Sequence, residues 1–470
     1  MIVLRTYQET GIDMIREAFR RTRRVLYVLP CAGGKTTMFS WMARSHIQKK
    51  NGNVLILVHR WELVEQVVDT LRELGEEPAI LASGHYYDKR KRITVGSVLT
   101  VAKRLHAIPR PTLIIPDEAH HAVSSTNWGK IIQHYAGAHV CGFTASPIRL
   151  SGEGLDDCFD EMVVGPSCQE LIDGGYLSQV AVYAPSQFDT SGLRTRMGEY
   201  VRGDVIDAVD RPKIIGDAVQ HYKNYADGKQ FLAFCCGVEH ARHVAKDFTD
   251  AGYPCMALDG TTDAKVRQTA VKEFRERKYL GLASADLFLE GFDIKGVSGP
   301  GVECGVILRP TKSTGLWIQM CGRILRPGVG KSKAIMLDAV GNVAHHGLPT
   351  DTHEWTLHGA KTQGRSDPSR VGVRVCLKCF GASRQTATIC GLCGEPFPVK
   401  PRRISTEEGE LKEISPEEAA RLREQREARR AQGMSRTFDT LVELGRQRGY
   451  RNPSAWAKYV YEARRAKGMR

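Results

Sequence analysis

The chain has 470 residues and a mass of 52.2 kDa, more than one hydrophobic core usually organises, so a single small binding module is excluded and two or more domains are expected. Apolar residues make up 42% and charged residues 26%, which excludes a disordered or fibrous chain. The net charge is +14, and residues 436–470 alone hold 9 Lys+Arg against 3 Asp+Glu, so a polyanionic partner is expected and the tail is a candidate phosphate-binding surface. No run approaches the roughly 18 uninterrupted apolar residues of a membrane span, and the opening segment lacks the apolar core of a signal peptide. A cytoplasmic chain with no membrane partner is the expectation.

In chain order, short apolar runs at Val25–Leu29, Val54–Val58, Thr94–Val98, Leu113–Ile115 and Val140–Phe143 alternate with helical patterns. That alternation is the mark of a parallel sheet covered on both faces, an α/β fold. Residues 62–74 show the helical part, with Leu63, Val64, Val67, Val68, Leu71 and Leu74 on one face and Gly75 as the stop. A stretch spotted with glycine and arginine, Thr190–Gly203, separates this block from a second series of buried-strand runs. These are Phe231–Cys235, Cys255–Leu258, Tyr279–Ala283, Gly305–Leu308 and Ala334–Leu337, so the α/β pattern occurs twice. After residue 356 follow a linker, a cysteine cluster and a charged segment in which Ser415, Pro416 and Glu418 predict a helix start and Gly433 its end. With Leu422 its one large apolar residue, that helix reads as a solvated spacer. The tail recovers apolar spacing at Phe438, Leu441, Val442 and Leu444, then at Trp456, Tyr459, Val460 and Tyr461.

Chemistry concentrates at three places. Pro30-Cys31-Ala32-Gly33-Gly34-Lys35-Thr36-Thr37 follows a strand and precedes a helix. There, backbone N–H groups can cradle phosphate oxygens, Lys35 can neutralise the β- and γ-phosphates, and the Thr36 hydroxyl can ligate magnesium. Leu29 stands where the general pattern has glycine, and a glycine-rich turn without nucleotide is the bland alternative. Asp117-Glu118-Ala119-His120 follows the run Leu113–Ile115 about 80 residues later. One carboxylate at a strand end can hold magnesium while its neighbour deprotonates the attacking water. Pro116 is tolerable there only at the end of the strand. Third, Gln319, Gly322, Arg323 and Arg326 lie on a helical pattern ahead of Pro327, where two arginines can present one positive face to a cleft or simply be solvated.

Cys376, Cys379, Cys390 and Cys393 form C-x2-C-x10-C-x2-C, a tetrahedral thiolate set suited to structural zinc, with redox pairs or free thiols as the alternative. The other nine of the 13 cysteines are scattered. His345 and His346 beside Gly341 and Asn342 read as part of a turn, with a metal role as the alternative. In the tail, Arg446, Arg448, Tyr450, Arg451, Trp456, Lys458, Tyr459, Arg464, Arg465 and Lys467 interleave base-stacking and phosphate-binding side chains. A small helical cap whose aromatics form its core fits the same residues, and both can hold.

The motifs in order resemble those of a superfamily 2 helicase, within it the RadD-like bacterial DNA helicases and their phage-encoded relatives. Tyr7-Gln8 resembles the adenine-reading glutamine element, and Pro30–Thr36 resembles motif I with Cys31 and Ala32 departing from it. Val58–Leu63 and Val95-Gly96-Ser97 resemble the strand-gripping motifs Ia and Ib, Asp117–His120 motif II, and Thr144-Ala145-Ser146-Pro147 motif III. Phe234–Ala241, Glu290-Gly291-Phe292-Asp293 and Gln319–Arg326 resemble motifs IV, V and VI.

This resemblance implies two tandem RecA-like P-loop domains followed by a small zinc-ribbon module and a helical basic tail. The boundaries are 1–165 for the ATP-binding domain, 166–356 for the helicase C-terminal domain, 370–400 for the four-cysteine module, 405–435 for the spacer and 436–470 for the tail. It implies ATP, magnesium and zinc as cofactors. Gln8, Gly33, Gly34, Lys35, Thr36, Thr37, Asp117, Gly291 and Asp293 would bind Mg-ATP, with Gln8 reading adenine and Asp293 touching the ribose. Glu118 would be the general base, and Gln319, Arg323 and Arg326 would serve the transferring phosphoryl group. His59, Arg60, Gly96, Ser97, Thr144, Arg446, Arg448 and Trp456 would contact nucleic acid, DNA rather than RNA. The implied function is an ATP-dependent DNA helicase or translocase in the cytoplasm of a bacterial cell or phage-infected host. An RNA remodeller, a restriction-type translocase subunit and a zinc-bearing adaptor with a vestigial ATPase are the alternatives.

Overall fold

The computed structural model describes every residue except 1, 51, 150, 151, 185–189, 191, 197, 288–300, 359–371, 399–434, 436 and 467–470. It divides into two units, Met1–Val399 and Lys400–Arg470.

The first sheet of the larger unit is built from β1 (Arg24–Val28), β2 (Val54–Val58), β3 (Ala79–Leu81), β4 (Ile93–Ser97), β5 (Leu113–Pro116), β6 (His139–Thr144) and β7 (Glu161–Val164). All pair in parallel, in the order β3-β4-β2-β5-β6-β1-β7. Parallel neighbours require crossovers, and the helices that make them cover both faces. Alternate strand residues therefore enter different cores: Val25, Tyr27, Val54 and Ile56 pack into one, and Leu26, Val28, Leu55 and Leu57 into the other. This double burial is why the runs read as continuous apolar stretches. Pro116 closes β5, and the ladder bond it cannot make is passed to Asp117, whose N–H donates to the Leu57 carbonyl at 3.0 Å.

The second sheet opens with β8 (Val180–Tyr183), followed by a hairpin of β9 (Thr195–Arg196) and β10 (Glu199–Tyr200) that lies outside it. It continues with β11 (Phe231–Phe234), β12 (Cys255–Ala257), β13 (Gly281–Ser284), β14 (Cys304–Ile307) and β15 (Ala334–Asp338), again parallel, in the order β12-β13-β11-β14-β15-β8. The sequence reading did not include β3, β7 and β8. At three or four residues each, they give too few apolar positions to stand out from a loop. Thr190–Gly203 consequently does not divide the two blocks, because β8 precedes it and already belongs to the second sheet. The change of lobe occurs after Leu177, since Leu171, Ile172 and Leu177 still pack against Tyr7 and Ala32.

Beyond β15 the chain returns to the first lobe. Trp355 and Leu357 pack into one of its cores, and the Leu155 N–H donates to the Leu357 carbonyl at 2.7 Å. A hairpin of β16 (Val373–Val375) and β17 (Ala382–Arg384) then carries the cysteine cluster, and Gly381 bridges Tyr183 at the open edge of the second sheet. The expected spacer helix from Ser415 to Gly433 lies outside the described residues.

In the smaller unit, helices Phe438–Gln447 and Pro453–Ala466 form a hairpin around buried Leu441 and Ala457. Trp456 lies half-buried against Gly445, with Tyr450 at 5.0 Å and the Arg448 guanidinium 5.7 Å above its ring. The tail aromatics thus supply part of this hairpin's core, while Tyr459 stays exposed and Arg446 points to solvent. The side chains of Arg464 and Arg465, and Lys467 entirely, lie outside the described residues.

Candidate active site at the lobe interface

A parallel sheet brings the carboxyl ends of all its strands to one edge, so the segments after β1, β2, β5 and β6 meet there although up to 120 residues separate them in sequence. After β1 the chain turns through Pro30–Gly34 into helix Lys35–Lys49. Gly34 has φ +81°, and a Cβ there would stand 2.4 Å from Gln8 Nε2, so glycine is required on two counts. Ala32 also takes a left-handed φ, +64°, at a cost of about 1–3 kcal/mol that the surrounding packing must hold. The loop is fixed from the amino-terminal helix: the Tyr7 hydroxyl donates to the Gly33 carbonyl at 2.8 Å, and Gln8 Nε2 donates to the same oxygen at 3.3 Å. Tyr176 packs on Tyr7 with ring centroids 4.7 Å apart. Gln8 is buried, and its side-chain oxygen accepts from Arg5 N–H, so its contacts here brace the phosphate loop. Lys35 Nζ reaches back to the Leu29 carbonyl at 3.4 Å, and the Thr36 hydroxyl accepts from Gln66 Nε2 at 3.5 Å. Thr37 follows on the helix, half-buried.

At the end of β5, Asp117 is buried, and Glu118 is forced to φ +48°, a second left-handed non-glycine residue. Strain of this kind persists where surrounding structure over-determines it. Burial, reinforced by the adjacent Glu118 carboxylate, pushes the Asp117 carboxyl well above the usual range. Glu118 Oε2 is buried without a hydrogen-bond partner among the described residues, with His120 Nδ1 at 3.4 Å. The buried Asp117 carboxylate near Lys35 fits a divalent cation, which would offset the desolvation penalty it carries.

His120 Nδ1 also lies 3.1 Å from the Thr144 hydroxyl, which donates to the Ser146 carbonyl at 2.9 Å and accepts from Ser146 N–H. Thr144, expected to face nucleic acid, is instead 0% exposed and ties the carboxylate segment to the loop after β6. Gly96 is likewise buried within β4, where a Cβ would meet Val101 at 2.4 Å. Neither can touch a strand from outside. Ser97 ends β4 half-exposed, and His59 and Arg60 follow β2 at the same edge.

Helix Thr314–Ile324 of the second lobe lies directly on the phosphate loop. A Cβ on Gly322 would stand 2.0 Å from the Cβ of Cys31, and one on Gly315 would stand 2.8 Å from the Ser146 hydroxyl. Glycine at both positions permits the approach. Cys31 is thereby enclosed, and burial pushes its thiol up, with the charges of Lys35, Arg323 and Arg326 opposing that shift and Glu118 adding to it. Gln319 on the same helix is buried.

The carboxyl end of this helix is held by residues that the motif reading missed. Lys331 Nζ donates to the carbonyls of Val302, Ile324 and Arg326 at 2.7, 2.5 and 2.7 Å. Ser178 N–H donates to the Leu325 carbonyl at 2.8 Å, and its hydroxyl donates to the Arg326 carbonyl at 3.2 Å. Burial brings the Lys331 ammonium down to about 8, with Glu303 pulling the other way. A lysine between two glycine-rich turns carries no pattern, so only its proximity could reveal this role. Gly291 and Asp293, expected at the nucleotide, lie outside the described residues.

The four cysteines stand apart from this interface. Their sulfurs lie within 4.8 Å of one another, with Cys376 to Cys393 at 3.7 Å and Cys379 to Cys390 at 3.6 Å. Four thiolates about 2.3 Å from a central zinc would be spaced by nearly that amount. Phe380 and Gly394 take positive φ just after each pair, and the N–H groups of Cys379 and Lys378 point at Cys376 Sγ and hold its thiol below the usual range. The donor set fits the metal.

Together these features define an ATPase of two parallel α/β lobes, with a phosphate loop and paired carboxylates on one lobe and an arginine helix on the other. Comparison with known proteins agrees. The family of type III restriction enzyme res subunits matches residues 1–149, and the helicase conserved C-terminal domain family matches residues 212–328. A 51.5 kDa protein of Lactococcus phage (isolate 7-9) is 32% identical over 374 residues, 79% of this chain and 78% of that one. The putative ATP-dependent helicase IRC3 of Saccharomyces cerevisiae is 28% identical over 361 residues, and the match spans 72% of this chain but only 52% of the yeast protein. The fold is also that of the ATP-dependent Type ISP restriction-modification enzyme LlaBIII, at TM-score 0.54 and 15% identity over 71% of this chain and 27% of that one. The chain belongs to the superfamily 2 helicases of the restriction-enzyme kind, and is an ATP-hydrolysing helicase or translocase of nucleic acid. Among the described residues no helix is long and apolar enough to cross a membrane.

Proposed function

We propose that this protein is a DNA translocase or helicase whose hydrolytic site is completed only when the two lobes meet. The observation that carries this reading is the approach of Gly322 to Cys31, where a Cβ on the glycine would stand 2.0 Å from that of Cys31, which sets the helix carrying Arg323 against the phosphate loop that leads into Lys35. Lys35 and the N–H groups of Gly33–Thr37 would hold the phosphates, with Thr36 and Asp117 as magnesium ligands. Magnesium held there would supply positive charge to offset the charge that develops on the transferring phosphoryl group. Glu118, with an unpartnered buried oxygen, would accept the proton of the attacking water. Arg323 and Arg326 would stabilise the transferring phosphoryl group, and because they sit on the other lobe, catalysis is coupled to closure. Asp293 would contact the ribose.

DNA is favoured over RNA because the first lobe matches a restriction-enzyme subunit, a class that acts on DNA. The cysteine cluster is read as a structural zinc site, closed to catalysis because four thiolates fill the tetrahedron. In the tail, Arg446 and exposed Tyr459 are read as an auxiliary grip that adds affinity without reading sequence. ATPase rates measured in parallel with single-stranded DNA, duplex DNA and RNA test the reading. Stimulation by DNA but not RNA is expected, and stimulation by RNA alone would replace it with RNA remodelling.

A further inference from the structure

We propose that Trp61, His85 and Tyr86 form a stacking platform for unpaired nucleobases, on the first lobe and outside the ATPase motifs. The proposal rests on the nucleic-acid reading above. The pairing of Val58 with Ser97 and of Leu81 with Gly96 aligns the carboxyl ends of β2, β3 and β4. His59, Arg60 and Trp61 leave the sheet at that edge, beside the segment from Ala82 to Tyr86 and beside Ser97. These are the segments on which the strand would run.

The Trp61–His85 pair of this platform is already assembled. Trp61 opens helix Trp61–Glu73, and its indole stacks on the His85 imidazole with centroids 4.2 Å apart and planes 25° from parallel. Trp61 remains 37% exposed, and Tyr86, next after His85 in sequence, is 85% exposed. The fold makes little use of either ring's open face, because the loop is held by other bonds. His85 N–H donates to the Ala82 carbonyl at 3.4 Å, His85 Nδ1 lies 3.0 Å from the Ser83 carbonyl, and the Tyr87 hydroxyl is 3.2 Å from that of Thr94. Large rings left open at this edge of the sheet are costly in water and suited to a flat π-surface from outside. Nucleobases of a single strand offer that surface whatever their sequence.

The surroundings fit a strand better than a protein partner. Arg60 directly precedes Trp61, and Glu62, directly after it, is neutralised across the cleft by Arg267 at 3.0 Å on second-lobe helix Ala264–Arg275. That ion pair offsets the carboxylate nearest in sequence to the indole. The ion pair also places the second lobe next to the platform, so bases stacked on Trp61 would sit where the two lobes meet.

Trp61→Ala and Tyr86→Ala, separately and together in the full chain, test the platform. The probes are an oligothymidylate and an abasic deoxyribose-phosphate strand of equal length. The double variant should bind oligothymidylate about tenfold or more weakly with an unchanged salt slope, because stacking releases no counterions. It should bind the abasic strand as the wild type does, and Trp61→Phe should keep most of the affinity. Equal losses on both strands would make these residues backbone contacts and overturn the proposal, as would unaltered binding of oligothymidylate. Failure of the wild type to bind either strand would be a different result, overturning the nucleic-acid reading itself.

Discussion

The two lobes repeat one topology and divide the chemistry between them. Strand for strand, β12-β13-β11-β14-β15-β8 retraces β3-β4-β2-β5-β6-β1, so β8 is the counterpart of β1 and β14 of β5. After β1 comes the phosphate loop; after β8 the chain leaves for a hairpin instead. At the end of β5 stand Asp117 and Glu118, whereas beyond β14 stands Arg309, paired with Asp286 and donating to the Ala285 carbonyl at 3.0 Å. Even the edges correspond: β7 lies beside β1, and Gly381 of the cysteine module takes that place beside β8. Sheet order follows from burial and crossover rules that many sequences satisfy. What a lobe does depends on a few residues at strand ends, and those can change without disturbing the core.

The largest expected break in this division of labour is Arg326→Ala. If the second lobe supplies the transition-state charge, nucleic-acid-stimulated ATPase should fall on the order of 10³-fold while nucleic-acid binding persists. Loss of binding with hydrolysis spared would make Arg326 a phosphate-backbone contact. From the other lobe, Glu118→Gln should leave ATP binding largely intact and cut turnover by roughly 10²-fold or more. Single-turnover hydrolysis at the wild-type rate would remove Glu118 from its role.

A finer test concerns how the arginine helix is aimed. Lys331→Met leaves the Ile324 and Arg326 carbonyls without their charged donor. We expect about tenfold lower kcat with little change in KM for ATP, together with a lower melting temperature. A melting shift with kcat untouched would reduce Lys331 to a structural cap. The smallest effect on catalysis should come from the cysteine module. Elemental analysis should find one zinc per chain, and Cys390→Ser should abolish it and unfold the module locally, since metal binding there is folding energy. The basal ATPase should survive, because the site lies apart from the phosphate loop. Protein purified without chelator and free of zinc would contradict the assignment.

Much of this molecule is legible in its sequence. Strands buried on both faces produced five apolar runs in each half, and helix Trp61–Glu73 sits one residue from its expected span of 62–74. The phosphate loop, the carboxylate pair and the cysteine spacing show in the sequence because their chemistry constrains residues close together in the chain, whereas of the two arginines expected on one helix only Arg323 lies on it and Arg326 stands two residues past its end at Ile324. Short edge strands escaped, since three or four residues carry too little pattern. Thr144 and Gly96 were assigned to the nucleic-acid face because a motif's position along the chain does not say which way its side chains point; both are buried.

The sequence by itself determined that two parallel α/β lobes exist and which short segments carry phosphate, carboxylate, arginine and thiolate chemistry. Local patterns suffice for that, because hydrophobic periodicity and motif spacing are properties of neighbours in the chain. Only the tertiary structure decided that Gly322 lies on Cys31, that Lys331 and Ser178 hold the carbonyls beneath Arg326, that the cysteine module covers the edge at Tyr183, and that Trp61 stacks on His85. Each of these joins residues distant in sequence through a close approach that depends on packing. No periodicity records such a contact, because the partner is chosen by where the sheets bring the chain back.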